Sequence, residues 1–134
     1  MQIHVPEELG GSLRILPEDT YKAVIQDMFL GKSKSGNPKI TVKWLIQSEY
    51  SGEKDENYIS TIGENVLETY SLQPQALWNL NDLYKSITKD RLPMGDYTEE
   101  EFLEMLKASL IGASMKIRII TDNDRSIVEE RIME

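Results

Sequence analysis

The chain has 134 residues, 40% apolar and 28% charged, which is the make-up of a single globular domain able to bury its own core. It carries 23 acidic against 15 basic side chains, a formal net charge of −8, so as a whole it repels polyanions. There is no cysteine, no run of 18 apolar residues and no basic-then-apolar leader in Met1-Gln2-Ile3-His4-Val5-Pro6-Glu7-Glu8, which argues against disulfides, thiolate metal sites, a helical membrane span and a signal peptide. An intracellular, cytoplasmic protein is expected.

Residues 1–19 read as an irregular arm with Gly10-Gly11 and two prolines, tucked onto the body by Leu13, Ile15 and Leu16. A first strand is predicted over 21–30, with Tyr21, Ala23 and Ile25 on one side and Val24 and Met28 on the other. The loop after it, Gly31-Lys32-Ser33-Lys34-Ser35-Gly36-Asn37-Pro38-Lys39, is rich in turn residues. It is also electrostatically unusual: from Met28 to Ser48 there are four lysines (Lys32, Lys34, Lys39, Lys43) and no acid. Residues 39–47 alternate well and predict a second, half-buried strand. Ile40, Val42, Trp44 and Ile46 share its apolar face; Lys39, Thr41, Lys43 and Gln47 share the other, broken by Leu45. Ser51-Gly52-Glu53-Lys54-Asp55 is a turn, and 57–72 reads as extended, with a hairpin insertion around 55–65 before the main third strand at 66–72.

Helical spacing begins at Pro74, which suits a first helical turn because its missing N–H is not needed there. Ala76, Leu80, Leu83 and Ile87 form the stripe, with Leu77 and Tyr84 beside it. Pro93-Met94-Gly95 ends that element, and Thr98-Glu99-Glu100-Glu101 is a capping box opening a second helix. Phe102, Met105, Leu106 and Leu110 are its apolar stripe and Gly112 its stop. Strands at 114–121 and 126–132 follow, joined by a turn at Asp122-Asn123-Asp124. Three strands, a helical segment and two strands are the element order of a five-stranded OB-fold barrel. The expected fold is therefore mainly β with α: one domain over 1–134, with a two-helix segment at 73–112 between strands three and four. In that fold the strand 2–3 face and the loops joining strands 1–2 and 4–5 hold oligonucleotides. The lysine loop is the first of these loops, and 122–125 is the second.

Loop lysines on a strand pair suit a phosphate backbone, although a solvated hairpin needs the same residues for solubility. For base stacking, Phe29, Tyr58 and Tyr70 are the candidates, each equally compatible with burial, because the register of strand three is not fixed by sequence. Trp44 is assigned to the core, and Trp78 and Tyr84 to helix packing. Glu99, Glu100 and Glu101 are explained by a helix start rather than a metal site. His4, the single histidine, has no second ligand type nearby in sequence. No nucleophile–base pair, Walker loop or dinucleotide fingerprint is present, so neither catalysis nor a cofactor or metal is expected.

Several segments resemble a family of small bacteriophage proteins that look like OB-fold single-stranded DNA-binding proteins. They are Leu16-Pro17-Glu18-Asp19-Thr20-Tyr21, Ser33-Lys34-Ser35-Gly36-Asn37-Pro38, Leu72-Gln73-Pro74-Gln75-Ala76-Leu77-Trp78 and Leu110-Ile111-Gly112. The resemblance spans roughly 16–132 and implies binding of single-stranded DNA in phage replication or recombination, within an infected bacterial cell. It carries over most directly to Lys32 and Lys34. The expected site is then Lys32, Lys34, Lys39 and Lys43 on phosphates, Thr41 and Gln47 lining a groove, and one or two of Phe29, Tyr58 and Tyr70 on bases. Expected partners are single-stranded DNA, phage or host replication and recombination proteins, and a second copy in a homodimer. The alternative is a protein-interaction module that engages such a replication protein through its acidic surface.

Overall fold

The computed structural model describes residues 13–132. Expectations that fall on 1–12 or 133–134, including His4 and most of the N-terminal arm, lie outside the described residues. The elements are β1 (Asp19–Lys32), β2 (Pro38–Ile46), β3 (Asn65–Ser71), a 3-10 turn (Pro74–Ala76), α1 (Leu77–Thr88), α2 (Glu99–Leu110), β4 (Ser114–Asp122) and β5 (Arg125–Ile132). The five strands form one antiparallel sheet in the order β3-β2-β1-β4-β5. The outermost strands β3 and β5 touch each other. No ladder joins them among the described residues, so the sheet is open where a closed barrel was expected.

β2 shows the strand logic most clearly. Ile40, Val42, Trp44 and Ile46 are all fully buried, and the residues between them are half-exposed. β1 alternates less cleanly for a definite reason. A bulge between Ile25 and Asp27 inserts one residue, so the inward phase shifts from Tyr21, Ala23 and Ile25 to Met28. Met28 is therefore buried on the same side as Ile25, not opposite it as simple alternation predicts, while Val24 faces outward and is half-buried. At the bulge the chain between α2 and β4 docks onto β1. Gly112 N–H donates to Ile25 O, and Ile25 N–H donates to Ala113 O, both at 2.9 Å. Gly112 has φ 90°, a left-handed conformation in which a Cβ would be strained.

β1 is long enough to serve two neighbours. Its first half, from Asp19 to Val24, pairs with β4, and its second half, from Ala23 to Lys32, pairs with β2. The helices close the core: Leu80, Leu83 and Tyr84 of α1 and Leu106 and Leu110 of α2 are buried with the inward strand residues. The capping box of α2 forms as expected, with Thr98 Oγ1 accepting from Glu101 N–H at 3.0 Å and Glu101 Oε1 accepting from Thr98 N–H at 2.9 Å.

Three expectations need correction. Residues 47–64 contain turns but no hairpin. Side-chain hydrogen bonds hold the segment instead of a ladder: within it Glu49 accepts from Tyr58 and Ser60, and from the start of the chain Asp19 accepts from Ser51 and Arg14 donates to the carbonyls of Ile59 and Ser60. In the arm, Leu16 is buried but Leu13 and Ile15 are exposed. Trp78, expected to pack, is 63% exposed on the outer side of α1.

Candidate nucleic-acid interface

The lysine loop is a compact hairpin end. Lys32 pairs with Pro38 and Gly31 with Lys39, so only 33–37 lie outside the ladder. That turn is closed by Ser33 N–H to Asn37 O (2.8 Å), Gly36 N–H to Ser33 O (2.9 Å) and Asn37 N–H to Ser33 Oγ (3.2 Å). Gly36 takes φ 84°, which explains a glycine at this point. The second loop is shorter still. Asp122 pairs with Arg125, and the two residues between them, Asn123 and Asp124, have φ 50° and 59°. Positive φ at both central residues is the turn that matches the twist of a hairpin.

Between these loops the outward side chains of β1, β2 and β3 stand in three cross-strand rows. Gly31, Lys39 and Ser71 form the row nearest the lysine hairpin; Phe29, Thr41 and Thr69 form the next; Asp27, Lys43 and Leu67 form the third. Phe29, Lys39, Thr41 and Lys43 line a groove of roughly 850 Å³ that Leu67, Thr69 and Arg125 also border. Gly31 has a role in this floor. A Cβ there would lie 3.3 Å from Lys39 Cε, so the missing side chain lets the lysine stem lie across β1. Phe29 is half-exposed, and the rest of its row across β2 and β3 carries the short side chains of Thr41 and Thr69.

The cations of the groove are Lys39, Lys43 and Arg125, and its acids are Asp124 and Glu68. Glu68 is directed inward. Its carboxylate accepts from Trp44 Nε1 (3.1 Å) and Tyr70 OH (2.9 Å) and is paired with the Arg131 guanidinium of β5. Burial raises its pKa, an effect that Arg131, Tyr70 and Trp44 oppose. Asp27, across from Lys43 in register, has its own cation in Lys107 Nζ at 3.7 Å and accepts from Met28 N–H at 2.8 Å. The acid nearest Lys43 is thus already engaged.

The other sequence candidates lie elsewhere. Lys32 and Lys34 are exposed at the hairpin end, beyond the groove rather than along it. Gln47 follows β2 at its far end, where its N–H donates to Lys22 O at 2.8 Å. Tyr58 is at that far end too. Its hydroxyl donates to Glu49, its ring carries Lys54 Nζ at 5.4 Å from the centroid, and it does not border the groove. Tyr70 is 4% exposed, with its hydroxyl pinned to Glu68 and Arg131 at 5.7 Å from its ring, and cannot receive a base. Of the three aromatic candidates only Phe29 faces the groove. Sequence reasoning missed Leu67, Thr69 and Arg125. The first two needed the register of β3; Arg125 was visible as the cation adjoining the Asp-Asn-Asp turn.

Among the described residues no cluster of His, Cys, Asp or Glu could hold a metal ion, and no helix is long and apolar enough to cross a membrane. Neither protein-family models nor curated proteins give a match to the chain.

Proposed function

We propose that the protein is an OB-type, partly open barrel that binds single-stranded DNA with little sequence preference. The observation that carries this reading is the groove itself: Lys39 and Lys43 stand on the rows either side of an outward Phe29 on one sheet face, and Arg125 from the 4–5 turn borders the same groove. Cations track a phosphate backbone and an exposed ring stacks on any base, so the pair supports affinity without base-edge readout. The groove runs over the strand 2–3 face and reaches the 4–5 turn, with the 1–2 hairpin at its end, the surface that OB folds use for oligonucleotides. The long, bulged β1 shared between β2 and β4, and the two helices between β3 and β4, support the same fold reading. A role in phage DNA replication or recombination, in the cytoplasm of an infected bacterium, rests on the sequence resemblance.

Anisotropy titration of labelled oligo-dT at several salt concentrations tests the proposal. The expected result is binding that weakens with salt, with a log–log slope of about −2 if all three groove cations meet phosphates. Absence of binding at low salt, or binding indifferent to salt, overturns it.

A further inference from the structure

A second depression lies on the helical side of the molecule, separate from the basic groove and joined to it only through the start of β2, where Pro38 borders one and Lys39 the other. It measures roughly 690 Å³ and lies between α1 and the chain that links α1 to α2. Its walls are apolar: Leu77 and Trp78 from α1, Leu92 and Met94 from the link, and Tyr97 and Phe102 around the start of α2. Trp78 is 63% and Met94 82% exposed, a large apolar area to leave in water on a chain with two tryptophans. The depression is preformed. Leu92 N–H donates to Asn81 Oδ1 at 2.8 Å, Tyr97 OH donates to Pro93 O at 3.2 Å, and the Tyr97 and Phe102 rings meet at 5.6 Å. The first contact ties the link to α1, the second braces it internally and the third ties it to α2, so this wall does not have to be ordered on binding.

The rim decides what fits. Asp96 and Glu99 border the depression, Glu100 and Glu104 follow on α2, and from Gly95 to Glu104 there is no base. The capping box occupies Glu101 alone among these acids, and Glu99 and Glu100 remain exposed. Among the described residues Arg91 is the one cation at the border. A phosphate backbone is therefore repelled here, unlike at the β-sheet groove. The chain's own end segments are unsuited as well, since 1–12 carries Glu7 and Glu8 and no Lys or Arg, and 129–134 carries three acids against Arg131.

We infer that this depression is a docking site for a short segment of another protein that brings two or three apolar anchors flanked by lysine or arginine. The anchors cover Trp78 and Met94, and the flanking cations meet Asp96, Glu99 and Glu100. The site lies apart from the Phe29–Lys39–Lys43 groove, so a partner held here is positioned at its end without competing for it.

A random 16-residue peptide display library panned on the full chain, with counter-selection on Trp78→Ala, tests the inference. The expected outcome is enrichment of net-basic sequences with apolar anchors. A synthetic peptide of that enriched sequence shifts the fluorescence of exposed Trp78 to the blue, while buried Trp44 supplies a constant background. Affinity falls at least tenfold when the peptide's cations become glutamates, and at least tenfold in the Glu99→Lys/Glu100→Lys protein, with oligo-dT affinity of Trp78→Ala unchanged. Acidic or charge-neutral winners, or winners that bind Trp78→Ala equally, overturn it. So does a blue shift of Trp78 caused by oligo-dT alone, which would make the depression part of a nucleic-acid path. A self-associated species lost in Trp78→Ala would assign the surface to a second copy and overturn it as well. Oligo-dT binding is read separately, so failure of the peptide site leaves the DNA proposal standing, and the reverse.

Discussion

Phe29 and the two strand lysines test the proposed site at the scale of single side chains. Phe29→Ala removes a half-exposed ring from the outer face and leaves the buried residues untouched, so folding is retained. If the ring stacks on a base, oligo-dT affinity falls by about 1–3 kcal/mol, while Phe29→Trp preserves it. Lys39→Ala and Lys43→Ala each weaken binding on all sequences alike and make the salt slope shallower by about 0.7. Lys32→Ala with Lys34→Ala has a smaller effect, because those side chains stand beyond the groove. An equal loss for both pairs of lysines, measured by the same titration, would shift the site toward the hairpin end. Glu68 permits a pH test. Its folded pKa is raised above the ordinary 4.5 by burial, with Arg131, Tyr70 and Trp44 pulling the other way. The folded protein thus holds this proton more tightly than the unfolded chain. The contribution to stability is fully present below pH 4.5 and is lost as pH rises through the folded value. Urea unfolding of wild type and Glu68→Gln from about pH 4 to about pH 8 should show that descending component in wild type alone. A constant difference between the two proteins across that range refutes it.

Individual elements differ in how far the sequence reveals them. β2 and α2 were legible because each obeys one rule throughout. Ile40, Val42, Trp44 and Ile46 keep a period of two, and Thr98 and Glu101 form a box that bonds only at a helix start. β1 was legible as a strand but not in phase, because at the bulge before Asp27 the Ile25 backbone is bonded by Gly112 and Ala113, residues far later in the chain. Residues 57–64 looked extended because Tyr58, Ile59 and Ile62 are strand-type residues; hydrogen bonds from Tyr58 and Ser60 to Glu49, and from Arg14 to the Ile59 and Ser60 carbonyls, override that preference. The candidate site divides in the same way. Lys39, Thr41 and Lys43 followed from alternation within one strand, whereas Leu67 and Thr69 depend on a register that only the folded sheet sets. Trp78 was misread because α1 is apolar enough for packing, and nothing local reveals that no other described element covers that side of it. Thr98→Ala tests the best-defined element boundary. Loss of the cap should cost about 1 kcal/mol, read as a lower thermal midpoint, with oligo-dT affinity unaffected.

At the scale of the whole molecule, the proposed binding of a polyanion by an acidic chain requires that its charges be sorted. Lys39, Lys43 and Arg125 line one groove, and the run from Asp96 to Glu104 lies on the helical side. Oligo-dT should therefore raise the thermal midpoint at low salt by mass action and lose that effect at high salt. Stabilisation that persists in high salt would point to contacts other than phosphate pairing. The sheet also holds together through an arrangement with a cost of its own. β3 and β5 meet through Glu68, Arg131 and the apolar residues behind them, not through a ladder. Each therefore keeps a row of backbone donors and acceptors that its neighbour screens but does not use. Arg131→Ala leaves Glu68 buried without its cation, at a cost of roughly 3 kcal/mol, and lets the two strands part. Both then become templates for strands of other molecules, so this variant should form intermolecular β-structure on mild heating, well before the wild type does, as followed by light scattering. On that expectation the ion pair that bridges the sheet's open side has a second consequence: it guards one copy of the chain against polymerising with the next.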